Sequence, residues 1–270
     1  PLNTPAGVFL GCLAGLNLSV PMGSHDLSFL SGGFAPAGVN MRTRVIVVPD
    51  KCWCPPQLAA GGRAFGLPLQ LYALKSRRNW GMGDLTDLKD FMRLASQWGA
   101  AYVGINPLNA LFADAPEEAS PYYVSSRLFL NPMYIDTDAV AEAAGLPTYD
   151  AYKHTARFKE LVAYCRSSEK VEYAYVSEMK YTALGILFEA FRAVHLNPDE
   201  TPKTARGQAF ADFVAQKGRA LNLFALWTVL RMSFAAENRP VAWQVWETGY
   251  QNPDSTQTQA FAARDRDSLL

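Results

Sequence analysis

The sequence predicts a mixed α/β chain: a small antiparallel β region, one parallel strand–helix–strand unit, then a long helical stretch. Three patterns carry that reading. Residues 40–48 alternate with period two. Two short apolar runs, 67–74 and 101–105, flank a segment with helical spacing. Val176, Met179, Ala183, Leu187, Phe191 and Val194 recur every three or four residues. With 49% hydrophobic and 19% charged residues among 270, a sizeable core forms and global disorder is excluded.

In the first 60 residues, Arg42 and Arg44 alternate with Met41, Thr43 and Val45, giving one face for a core and one for water. The run 45–48 is then continuously apolar until Pro49. Gly32 and Gly33 mark a hairpin-like turn after a strand at 27–30, and 8–20 reads as strand material. Residues 55–66, rich in Pro, Gly and Ala, form the linker. The expected organisation is an antiparallel sheet domain at 1–60, a βαβ part with a long loop at 61–136, and a mostly helical part at 137–270.

The run 67–74 (LPLQLYAL) is apolar enough to be buried on both faces, as in a parallel sheet. Asp84 is the expected N-cap of the following helix, with Thr86 its competitor. Leu85, Leu88, Phe91, Met92, Ala95 and Trp98 form its apolar stripe, so Trp98 is expected in the core, and Gly99 suits the C-cap. Residues 101–105 (AYVGI) make the second strand, giving a right-handed parallel unit. From 106 to 132 no periodicity survives; a long loop after a parallel strand is where barrel enzymes build their sites. Helices are expected at 158–165 and 172–195 and from Phe210 onward, with Gly218 as a break. The segment 221–236 is apolar on nearly all sides and is expected to be sandwiched between elements. A final amphipathic helix is expected from Thr256. Two parallel strands do not make a stable sheet, so the remainder of the sheet is expected outside this chain, which also begins with Pro1 rather than Met.

Several chemistries are excluded. Twenty-five basic residues balance twenty-five acidic ones, without the cluster a nucleic-acid surface needs. No apolar run reaches ~20 residues, so no membrane span is expected. Cys12, Cys52, Cys54 and Cys165 show no metal-ligand spacing with His25, His154 or His195; Cys52 and Cys54 are expected on one face of a strand, as free thiols. Gly-x-Ser-x-Gly, the phosphate loop and His-Glu-x-x-His are absent, and Gly81-x-Gly83 lacks the rest of a dinucleotide fingerprint.

The loops hold a different pattern. Asp84, Asp87, Asp114, Glu117, Glu118 and Asp136 are the acidic residues; each suits capping or solvation better than bond cleavage, which needs two carboxylates across a sugar. Tyr72, Trp80, Tyr122 and Tyr123 lie near Asn79, Asn109, Ser120 and Ser125. Aromatic faces cover the apolar side of a pyranose, while amides and hydroxyls meet its rim.

Five motifs in order, QLYxL, NWGxGD, NPL-x-AL, SPY-x-x-SSR and LNPMYID, with a later WETGYQNPDS, resemble the amylomaltase or 4-alpha-glucanotransferase family in its bacterial long form. The resemblance covers about seventy per cent of the chain and corresponds to the family's N-terminal part. It implies an incomplete TIM (β/α)8 barrel with a large helical insertion, preceded by the antiparallel domain. It implies transfer of alpha-1,4-glucan segments between maltodextrins by a retaining mechanism: a nucleophilic Asp, a Glu acid/base and a second Asp, with no cofactor or metal. Those carboxylates belong to later strands, so no catalytic residue is assigned here. Tyr72, Asn109, Ser120 and Tyr122 match substrate-binding positions, although some relatives carry His at the position of Asn109; Trp80 and Asp84 match loop scaffold. The implied partners are maltodextrins and the C-terminal remainder of the same polypeptide, in the cytoplasm. Two other readings remain open at this point: a non-catalytic alpha-glucan-binding module, and an adaptor presenting the apolar stripe of 172–195.

Overall fold

The computed structural model describes residues 3–4, 7–8, 21, 23–29, 41–49 and 51–266. The chain divides into two compact units, Pro1–Ala64 and Phe65–Leu270. In the first, β1 (Asn3–Thr4) pairs antiparallel with β2 (Gly7–Val8), and β3 (Gly23–Phe29) with β4 (Met41–Val47). Asp26 stands opposite Arg44, and their side chains form an exposed ion pair at 2.9 Å. The antiparallel pairing agrees with the alternation, but a clean buried face does not follow: Val45, Ile46 and Val48 are all exposed. Alternation sorts side chains onto two faces without supplying anything to cover one of them. The turn at Gly32–Gly33 and most of 8–20 lie outside the described residues. Cys52 and Cys54 are exposed in irregular backbone, not on a strand. A single turn, α1 (Pro56–Ala59), starts on a proline, which lacks the amide a first turn leaves unpaired anyway.

In the second unit, β5 (Gly66–Leu69) and β6 (Tyr102–Ile105) pair in parallel, Gly66 opposite Tyr102 and Leu69 opposite Ile105. The first strand is shorter than its apolar run. After Leu69 the chain leaves the sheet and Leu71–Ala73 closes a 3-10 turn. The reason is a contact from the next strand end: the Leu71 amide donates to the Asn106 side chain at 2.8 Å, and Leu71 itself is fully buried.

Between the strands lies α2 (Leu85–Gln97). Asp84 caps it, accepting from the amides of Thr86 and Asp87, while the Asp87 carboxylate accepts from the Asp84 amide. Thr86 does not cap. Gly99, with φ of 81°, turns the chain out of the helix. Trp98 is not core: it is 59% exposed, and Leu85, Met92 and Leu94 are exposed too. The helical spacing places these residues on the helix, but nothing among the described residues covers their side of it. Among the described residues β5–β6 is the one parallel pair.

The segment 106–132 is not structureless. β7 (Asn109–Ala110) pairs antiparallel with β8 (Ser126–Leu130) across a bulge, because Ser125 folds back onto the Ala110 carbonyl. Three 3-10 turns follow, then α3 (Pro147–His154), α4 (Ala156–Ser167), α5 (Tyr173–His195), α6 (Ala205–Ala236), α7 (Thr248–Gln251) and α8 (Thr256–Arg264). Thr155, Thr204 and Ser255 cap α4, α6 and α8 through their hydroxyls. Gly218, at φ 54° and ψ −139°, breaks α6 where the sequence expects it.

One core joins Leu71, Trp80 and Met82 to Phe158, Val176, Met179 and Leu187. A second gathers Leu226, Leu230, Phe234, Trp246 and Phe261. The stretch 221–236 buries the stripe at Leu226, Leu230 and Phe234, leaves Asn222, Met232 and Ala236 exposed, and half-buries the rest. No helix among the described residues is long and apolar enough to cross a membrane.

Candidate functional site

The parallel register puts the loops after β5 and β6 at the same end of the strand pair, since Leu69 and Ile105 are partners. Asn106 joins the two loops at their base. Its oxygen accepts from the Leu71 amide, and its nitrogen donates to the Tyr134 hydroxyl at 3.1 Å. This is the geometry in which barrel and open-sheet enzymes assemble binding sites.

The loop after β5 is organised by charge. The Arg78 guanidinium holds three carboxylates: Asp84 at 2.5 Å, Asp87 at 2.9 Å and Asp136 at 2.8 Å. All three carboxylates are buried. Hydrogen bonding to Asp84 raises the Arg78 pKa above its ordinary value, so the cation is permanent. Burial alone pushes the Asp87 carboxyl up; bonds from Asn79 and the Asp84 amide, with the Arg78 charge, outweigh it and hold Asp87 below the usual carboxylate range.

A second cation enters from α5. Lys180 is 2% exposed. Its ammonium donates to the Ile135 carbonyl at 2.5 Å, lies 4.0 Å from Asp84 and sits 4.9 Å from the Trp80 ring centre. Burial lowers its pKa, with Asp84 and Asp136 pulling the other way. Trp80 completes the contact edge-on against Phe158 at 4.8 Å. The loop backbone is further stitched to α4: Arg166 donates to the carbonyls of Asn79 and Arg78 at 2.7 and 2.9 Å. Two glycines of the NWGxGD motif are required by close approach. A Cβ on Gly81 would stand 2.5 Å from that of Cys165, and one on Gly83 would stand 2.1 Å from the Leu71 carbonyl oxygen.

The loop after β6 is pinned at its flanks and open at its tip. Asp114 pairs with Arg231 of α6 at 2.6 Å, both largely buried, and Arg231 lies over the Phe112 ring at 4.4 Å. The Ser125 hydroxyl lies 2.9 Å from the carbonyl oxygens of both Ala110 and Leu111. Between these anchors Ser120 opens a turn, its hydroxyl accepting from the Tyr122 amide, and Tyr122 stands 73% exposed. Tyr123 is also exposed but leans on Phe112, 5.3 Å between ring centres.

The six residues singled out in the sequence thus divide. Trp80 and Asp84 are buried and meet around Lys180. Tyr72 is half-buried in the 3-10 turn, its ring 6.4 Å from Tyr173 and its carbonyl accepting from Gly83, so it adjoins the same loop. Asn109 is half-buried in β7, opposite Leu130. Ser120 and Tyr122 belong to the open tip. Sequence reasoning missed Arg78 and Lys180. A usable signal existed for Lys180, which falls in the buried stripe of α5 four residues after Val176 and three before Ala183. Among the described residues no group of three His, Cys, Asp or Glu could hold a metal.

A family model described as glycoside hydrolase family 77, 4-alpha-glucanotransferase, matches residues 69–270. The chain belongs to the 4-alpha-glucanotransferase family. It is 31% identical over 255 residues to a 4-alpha-glucanotransferase of Haemophilus influenzae, covering 91% of this chain and 35% of that protein. It is also 31% identical over 262 residues to one of Mycobacterium tuberculosis, covering 94% and 33%. Its fold is similar to the crystal structure of amylomaltase from Corynebacterium glutamicum, with a TM-score of 0.62 and 25% identity, covering 93% of this chain and 32% of that one. The chain therefore spans about a third of the length of these relatives.

Proposed function

We propose that this chain supplies one wall of the glucan cleft of a 4-alpha-glucanotransferase. That enzyme moves alpha-1,4-glucan segments between maltodextrins by a retaining mechanism. β5 and β6 are the first two strands of its barrel, residues 137–270 an insertion into it, and the front 60 residues a separate sheet domain. Tyr72, Asn109, Ser120 and Tyr122 face sugar; Trp80 and Asp84 hold the loop that carries Tyr72. The nucleophilic Asp, the acid/base Glu and the ring-holding Asp come from the remainder of the polypeptide, in the cytoplasm. The chemistry calls for no cofactor.

One observation supports this reading above the others. An aromatic face, Tyr122, is left exposed on a loop whose flanks are fixed by a buried ion pair and by Ser125, at the same strand end as Tyr72. Fixing the flanks of the loop before the ligand arrives removes part of the ordering cost of binding. A pyranose offers the matching apolar face.

Maltotriose tests the division of labour. The 270-residue chain should leave it unchanged, while the polypeptide extended to the length of the relatives should convert it to glucose and longer maltodextrins. Turnover by the chain alone would show that the acids lie within it.

A further inference from the structure

The WETGYQNPDS segment does more than close the second core. With the 3-10 turn Trp243–Val245 it folds back on the C-terminal half of α6 and forms an open cup of about 270 Å³. Leu226, Trp227, Trp243, Trp246, Tyr250 and Gln251 line it. Three of the four rings are held from behind. The Trp246 indole donates to the Pro240 carbonyl at 3.0 Å. Trp246 and Tyr250 both pack edge-on against Phe234, at 5.0 and 5.2 Å. Trp227 rests on Phe224 and Phe112. The fourth, Trp243, is 49% exposed, and its indole N–H meets no acceptor among the described residues. The Gln251 amide nitrogen is committed to the carbonyls of Trp246 and Gln244, at 2.7 and 3.2 Å. Its Oε1 accepts nothing among the described residues.

We propose that this aromatic cup is a second carbohydrate site, taking one glucosyl unit of an alpha-glucan against Trp243, apart from the cleft wall. The choice of glucan rests on the function proposed above; the choice of a neutral sugar rests on the cup. No charged side chain lines it, so an anion or a metal finds no partner there. Its volume lies below the ~300–1,000 Å³ typical of drug-sized ligands and suits a single sugar ring whose chain continues into solvent. A half-exposed indole face, an unused N–H and an amide oxygen are what a pyranose needs: one surface to stack on, one acceptor-seeking donor and one acceptor. Two sites on one polypeptide hold a long glucan near the cleft through effective concentration, which a short maltodextrin cannot exploit.

Calorimetric titration of the 270-residue chain with maltoheptaose tests this, using Trp243→Ala, Trp243→Phe and Tyr122→Ala. Trp243→Ala should abolish one binding event or weaken it about tenfold. Trp243→Phe, which keeps an aromatic face, should stay within about threefold. If Trp243→Ala fails to fold, 5-fluorotryptophan labelling of the unaltered chain replaces it: the fluorine resonances of Trp243 and Trp227 should move with maltoheptaose. Unchanged affinity and stoichiometry in Trp243→Ala, or unmoved resonances, overturns the second site. So does binding of choline in place of maltoheptaose. If Trp243→Ala loses binding and Tyr122→Ala does not, the cup stands and the cleft wall falls. The reverse pattern leaves the wall and removes the cup.

Discussion

The two loops at the carboxyl end of the parallel pair are built on opposite plans. After β5, Arg78, Asp84, Asp87, Asp136 and Lys180 form a buried network in which each charge faces an opposite one. After β6, the ion pair and the Ser125 hydrogen bonds lie at the flanks, the tip keeps only the turn at Ser120, and Ser120, Tyr122 and Tyr123 are exposed. The first plan makes a rigid base. The second makes a presented surface. A buried network is costly to break because the survivor of each broken pair stays buried without its partner. An exposed ring costs almost nothing to remove unless something binds it.

That contrast is open to measurement. The largest effect falls on Lys180→Met, which keeps the stem but strips the Ile135 carbonyl of its donor and Asp84 of the second of its two cations. It should lower stability by about 3 kcal/mol in urea denaturation. A loss below about 1 kcal/mol would mean the network is decoration. Next comes acid. Asp87 is held below its ordinary 3.8, so its ionised form contributes stability that is complete above that value and is lost as pH falls through the lower folded value. The urea midpoint should therefore drop on acidification below 3.8, and Asp87→Asn should flatten that drop. An identical acid limb in both proteins would remove Asp87 from the base. The smallest effect on stability belongs to Tyr122→Ala, within about 0.5 kcal/mol. The same change should weaken maltoheptaose binding about tenfold, and a stability loss like that of Lys180→Met would make the tip structural.

What was legible follows from how local each signal is. Asp84 as a cap, Gly99 as a stop, Gly218 as a break and the presence of α4 and α5 depend on neighbours within a few residues. Strand β5 was overread because Leu71 looks like its continuation, whereas its amide is claimed by Asn106, 35 residues away. Trp98 was misplaced for a related reason: spacing shows which residues share a helix face, and exposure depends on what lies opposite. The loop 106–132 hid a hairpin because β7 has only two residues, too few for any period to show. Within the candidate site, Trp80 and Asp84 stood out as members of a motif. Arg78 read as one of twenty-five basic residues with nothing local to mark it, whereas Lys180 could have been found from its place in the buried stripe of α5.

Family, the Asp84 cap, the extent of α5 and the two parallel strands were therefore legible in the sequence itself, because each rests on short-range backbone preferences or on motifs read in order. The tertiary structure alone decided which charges are buried, which aromatic rings face solvent and which loops share a strand end. Those properties belong to pairs of residues separated by tens of positions, such as Arg78 with Asp136 or Asp114 with Arg231. Their desolvation and pairing exist only once the chain has brought them together.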